Sequence, residues 1–191
     1  MAVIEGGNII AGAGADVFSV AVGSPAAAST TGVHAAVTDN GSQQVITTAI
    51  TNPDVPRNIT ATAGGTNTDI KAIQVVVTGT DAEGHSISET LPAFTVDTAG
   101  TVTGSKAFKT VTSITIPAHD GTGATTAIGF GSKLGLGHRL SRNTVLAAFL
   151  NGVKEGTAPT VAFDATNISG NTAQLASALN GNAVIVDYYR S

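Results

Sequence analysis

The chain has 191 residues, with nine Lys and Arg against thirteen Asp and Glu for a net charge of −4, and only 12% of residues are charged and 4% aromatic. With no cysteine, disulfides, thiol catalysis and Cys-ligated zinc are excluded, and the redox compartment is left open. Low charge beside abundant Val, Ile and Thr argues against disorder and for an ordered all-β protein, long enough to bury one sizeable core.

Residues 1–31 are rich in Gly, Ala and Ser, with apolar residues scattered through them. Such a segment has too few large side chains to fold alone and is too apolar for a solvated tail. It reads as an extended N-terminal arm that docks on a neighbouring subunit through Ile4, Ile9, Ile10, Val17, Phe18, Val20 and Val22. The alternation Val17-Phe18-Ser19-Val20-Ala21-Val22 suits strand addition to a partner's sheet edge.

Residues 32–191 read as one β-sandwich body. Residues 44–50 are a strand candidate, broken by Asn52-Pro53-Asp54-Val55-Pro56, because each proline removes a donor and biases its predecessor to extended geometry. Residues 58–63 form the next strand. The clearest hairpin spans 72–91: Ile73, Val75 and Val77 alternate with Gln74, Val76 and Thr78, giving one apolar face. Its turn is Thr80-Asp81-Ala82-Glu83-Gly84, where Gly84 supplies positive φ.

Further strands are expected over 108–117 and from Ala124 to Phe130 along one face. From about residue 141 the pattern becomes a C-terminal meander. Residues 145–150 run into Asn151-Gly152, a strong two-residue hairpin signal; 160–163, 172–175 and 183–189 follow. One helical turn fits Ser177-Ala178-Leu179, and no helix of ordinary length is expected. Short strands at roughly ten-residue spacing predict an antiparallel β-sandwich, jelly-roll or Ig-like. Parallel architecture would need crossover helices.

Charge is unevenly placed. The first 56 residues hold no Lys or Arg; Glu5, Asp16, Asp39 and Asp54 carry the whole net charge, and nine acids balance nine bases beyond. No basic face for phosphates is expected, hence no nucleic-acid partner. Neither a signal peptide nor an apolar run of some ~18 residues is evident, so no membrane span is expected.

Constellations that could carry chemistry resolve into turns. His34, His85, His119 and His138 share no ligand motif. His119-Asp120 resembles half a triad, but adjacent strand residues point to opposite faces. Asp81 and Glu83 sit in a tight turn rather than the cleft that paired catalytic carboxylates need. Asp164-Ala165-Thr166-Asn167 and Asp120-Gly121 have too few oxygens for a calcium loop. Gly129-Phe130-Gly131-Ser132-Lys133-Leu134-Gly135 lacks phosphate-loop spacing and a following helix. Sequons at Asn40, Asn58 and Asn167 mean little without a secretion signal. The expectation is therefore no catalytic residue, no metal and no cofactor.

Three stretches resemble modules of tailed-bacteriophage virion structural proteins: Thr51-Asn52-Pro53-Asp54-Val55-Pro56-Arg57-Asn58-Ile59-Thr60; Val75-Val76-Val77-Thr78-Gly79-Thr80-Asp81-Ala82-Glu83-Gly84; and Gly104-Ser105-Lys106-Ala107-Phe108-Lys109 through Val111-Thr112-Ser113-Ile114 to Gly129 and Leu136. The tail from Phe163 to Tyr189 is similar to terminal hairpins of phage head and tail proteins. The resemblance covers about two thirds of the chain, and it carries over no catalytic residue. It implies a virion component made in the host cytoplasm, foremost a capsid decoration (cement) protein on the head surface. The expected partners are the major capsid protein or other virion proteins. A homo-oligomer is expected too, with a trimer the first choice. Neck, tail or fibre components are the alternative within that class, and a carbohydrate-binding or adhesin sandwich lies outside it.

Overall fold

The computed structural model describes residues 2–5, 8–11 and 17–189, the first two segments by backbone alone. The fold is all-β and antiparallel. In chain order the strands are β1 (Ala2–Glu5), β2 (Asn8–Ala11), β3 (Val17–Gly23), β4 (Ser29–Thr38), β5 (Gln44–Ile46) and β6 (Arg57–Gly65). Next come β7 (Val76–Thr80), β8 (Ser86–Thr90), β9 (Gly100–Phe108), β10 (Thr110–Ile116) and β11 (Ala124–Gly135). The chain closes with β12 (Val145–Leu150), β13 (Val153–Lys154), β14 (Thr160–Ala162), β15 (Thr172–Gln174) and β16 (Val184–Tyr189). Short 3-10 turns occupy Asn67–Asp69 and Ile168–Gly170, whereas the helical turn expected at residues 177–179 does not form.

Two sheets build the main body. One runs β5-β10-β7-β8; the other runs β14-β15-β11-β6-β9, with β4 paired to the first part of β11. Alternation decides what they bury. In β6, Ile59, Ala61 and Ala63 point inward, while Thr60 and Thr62 lie on the opposite face. They meet Val77 of β7, Ile114 and Ile116 of β10, and Ile128 of β11 in one contiguous core. Each such Ile or Val contributes about 1.5–3 kcal/mol by leaving water. The hairpin expected over 72–91 pairs over Val76–Thr80 and Ser86–Thr90; Ile73 and Val75 are buried like Val77 but precede the strand.

A second core lies under a separate sheet, β13-β12-β16-β3. Leu134, Leu136, Leu140, Ala148, Leu175, Leu179, Val184, Val186 and Tyr188 fill it, with Val20 and Val22 packed against them. Asn151 and Gly152 take φ of 53° and 75° in the β12–β13 turn, the left-handed pair that a two-residue hairpin demands. β11 spans both regions, with Ile128 in the first core and Leu134 in the second. Gly129 lets β4 cross close to β11, since a Cβ there would stand 1.8 Å from the Ser29 carbonyl oxygen.

Of the arm expected over residues 1–31, the part from Val17 onward is corrected by the structure, which takes it into the chain's own sheets. Val17–Gly23 is the fourth strand of the chain's own second sheet, antiparallel to β16 from Val17↔Tyr189 to Gly23↔Val184. Ser29–Thr38 belongs to the main sheet and crosses the expected boundary. The physical cause is the edge of β16: Val186 and Tyr188 lie in an apolar core and need a pairing strand on that side, and the residues of β3 supply it.

Candidate functional site

Of the residues expected to grip a partner, Phe18, Val20 and Val22 instead face their own core. Val20 and Val22 pack on the second cluster, and the Phe18 ring centroid lies 6.2 Å from that of His138. Val17 lies on the opposite face and is 52% exposed. The side chains of Ile4, Ile9 and Ile10 lie outside the described residues. Their backbones form a two-stranded ribbon, Val3 opposite Ile10 and Ile4 opposite Ile9, and among the described residues β1 and β2 pair only with each other.

The crossover between the two cores is fastened by a residue that sequence reasoning did not single out as functional. Arg57, the first cation of the chain, is 0% exposed. Its Nε donates to the Gly131 carbonyl at 2.7 Å, and Nη1 donates to the Ala26 carbonyl and to Asp54 Oδ1, both at 3.0 Å. The guanidinium carbon stands 4.4 Å from the centroid of Phe130, a cation–π distance. Asp54 Oδ2 also accepts the Ala26 amide at 2.6 Å. Burial pulls the Arg57 pKa down, and the Asp54 hydrogen bond and charge oppose it. Burial pushes Asp54 up, yet the Ala26 amide, Arg57 and the Val55 amide outweigh that and leave its pKa lowered. This clamp holds the strap of residues 24–28 between β3 and β4. The i, i+3 spacing of Asp54 and Arg57 is its one sequence signal.

Asp81 and Asp164 close backbone turns, whereas Glu83 and Glu89 tie separate segments together. Asp81 Oδ1 accepts the amides of Glu83 and His85, each at 2.9 Å. Glu83 reaches away from it to pair with the Arg139 guanidinium, which also donates to the Thr166 carbonyl. Asp164 accepts the amides of Thr166 and Asn167, and beside it the Asn171 amide joins four backbone groups within 3.0 Å. Glu89 receives the amides of Ser105 and Lys106. Among the described residues no three His, Asp or Glu side chains gather as a metal would require.

His119 and Asp120 lie in the loop after β10 rather than on a strand, and their side chains reach different partners. The His119 ring sits between the Lys71 amide, 3.2 Å from Nδ1, and Thr126 Oγ1, 3.0 Å from Nε2. Asp120 turns outward to Lys71 Nζ at 2.7 Å. The glycine-bearing run 129–135 is the second half of β11, not a phosphate loop. Beside it a hollow of about 280 Å³ is lined by Asn58, Thr60, Thr103, Ser132, Lys133 and Gln174, among others. Lys133 Nζ donates there to the Gly104 carbonyl at 3.2 Å.

Among the described residues no helix is long and apolar enough to cross a membrane. Comparison with known proteins returns no matching family model, no similar curated protein and no similar solved structure.

Proposed function

We propose that this chain is a non-enzymatic structural protein of a tailed-phage particle, foremost a decoration (cement) protein that holds the head shell. In this reading it contacts the major capsid protein or other virion proteins, and other copies of itself. One observation carries the reading: a β-ribbon with four apolar residues at its central positions pairs only with itself among the described residues. A lone two-stranded ribbon is marginal in water, so it calls for another surface. The body behind it is built as scaffold. Its buried carboxylates Asp81 and Glu89 bind backbone amides rather than converging on a cleft. Weak contacts of this kind, repeated over a lattice, add up to avidity.

The test is to locate the chain on particles of the phage that encodes it, with gold label on a C-terminal tag. Regular label across the head supports decoration. Label confined to neck, tail or fibre moves the protein there, and unlabelled particles reject a virion role. The hydroxyl-lined hollow at Lys133 favours a second reading, glycan binding; saturable binding on a glycan array that Lys133→Ala abolishes would establish it.

A further inference from the structure

Sheet edges are where β proteins recruit further strands, and proteins guard them with short strands, charges, bulges or cover. Most edges here are guarded. β5 and β14 have three residues each, and β13 has two and ends in Lys154. β8 and β9 close on each other: Glu89 takes the amides of Ser105 and Lys106, and Lys106 Nζ donates to the Ser88 carbonyl at 2.7 Å. β4 is bulged twice against β11, and its Val33 carbonyl accepts the Thr51 amide.

β3 has no such guard. It runs seven residues, Val-Phe-Ser-Val-Ala-Val-Gly, without a charge or a proline. Its open groups can be identified from β16. The Tyr189 amide donates to Thr144, and the Ala183 carbonyl accepts from Asn151, so the odd-numbered residues of β16 face β12. Backbone direction alternates along an antiparallel strand; Val186 and Tyr188 therefore face β3 and bond to Val20 and Phe18, their register partners. The amides and carbonyls of Val17, Ser19 and Ala21 are left pointing at the edge, where no strand lies among the described residues. Their side chains are all exposed.

We propose that this edge accepts β2 of a second copy's N-terminal ribbon, extending the four-stranded sheet by the partner's β2 and β1. The inference rests on reading the ribbon as an assembly element, but not on the phage particle. Two features favour the second copy as occupant. The ribbon lies only five residues upstream of β3 in sequence, close enough to fold back, yet it pairs with neither β3 nor any other strand described. An edge-to-edge β3 dimer would leave that ribbon unsupported. Donor and acceptor are different surfaces, so the contact is heterologous and closes into a ring or propagates.

The chain's lack of cysteine makes the test clean. Ile9→Cys and Ser19→Cys are prepared as separate full-length proteins carrying different fluorophores, mixed, and treated with a short bis-maleimide. The expected main product is a two-colour dimer. Ser19→Cys joined to itself as the main product, an intramolecular link as the main product of the double variant at high dilution, or no link at all would each overturn the proposal. As a second measurement, Ala21→Lys puts a guard on the exposed face of the edge without touching the core. It should weaken self-association by about tenfold or more in light scattering, tenfold being the ratio worth 1.4 kcal/mol; unchanged association overturns the assignment. Cross-linking without particle label would sink only the phage reading, and particle label without cross-linking only this one.

Discussion

The two cores are built differently. The first is closed by strands near one another in sequence: β7 and β8 are a hairpin, and β9 runs straight into β10. The second joins the two ends of the chain, with Ser19 opposite Asp187 and Val17 opposite Tyr189. Its last strand can dock only when both termini are in place, and ordering an element across so long a loop carries a large entropic cost before any contact returns it. The position of the clamp follows from this contrast in connectivity. Arg57 fastens the strap that leads from one core to the other, at the point where chain connectivity alone would leave the lobes loosely related.

Removing that clamp should have the largest effect. Arg57→Ala removes the donor to the Gly131 and Ala26 carbonyls and opens a void against Phe130, while Asp54 loses its guanidinium partner but keeps the Ala26 and Val55 amides. Truncating a large, fully buried side chain costs roughly 3–5 kcal/mol, to be read from chemical denaturation. Arg57→Met should recover part of the loss. It refills the volume and removes Nη2, a buried donor with no partner. If Met and Ala variants lose equal stability, the hydrogen bonds and not the packing hold the strap.

One truncation in each core probes whether the two lobes melt together. Ile114→Ala and Leu140→Ala both remove a fully buried side chain, at about 2–5 kcal/mol each. Because β11 runs through both cores, each variant should lower one shared thermal transition in calorimetry. A second transition left at the wild-type temperature in Leu140→Ala would show that the lobes unfold separately and that β11 does not couple them.

How far the sequence revealed this architecture follows the same division. Ile73, Val75 and Val77 alternate without interruption and all face the core, and the hairpin they predict forms from Val76 onward. β9 escaped because Gly-Thr-Val-Thr-Gly-Ser-Lys-Ala-Phe offers few apolar positions. Its Gly104 is set by neighbours that no local pattern shows: a Cβ there would stand 2.7 Å from Glu89 Oε2 and 2.9 Å from the Ile59 carbonyl. β3 was legible as a strand, but period two says which residues share a face and not whose sheet they join. The alternation of Phe18, Val20 and Val22 therefore fits a partner's sheet as well as the chain's own. The clamp was half legible. Asp54 and Arg57 stand out in an acidic stretch, while the burial of Arg57 depends on Gly131 and Phe130, far along the chain.

The smallest effect, on pH, belongs to the first core alone and turns on His119. The ring stacks on Phe94 at 6.0 Å between centroids. Its Nδ1 takes the Lys71 amide, which can only donate, so the proton must sit on Nε2 and point to Thr126 Oγ1. Burial pulls the His119 pKa down, and the charges of Asp39 and Asp120 only partly restore it. A lowered folded pKa means that the unfolded chain binds this proton first as pH falls. The contribution of His119 is therefore complete above about pH 6.5, the ordinary histidine value, and declines below it until the folded pKa is reached. His119→Gln keeps an acceptor for Lys71 and cannot titrate. Its stability at neutral pH should be somewhat lower, and its slope between pH 7.5 and 5 shallower than that of the parent. Parallel slopes would mean that the ring is protonated inside the fold, with the Lys71 amide facing a cation, and the packing of Phe94 against a neutral imidazole would have to be abandoned.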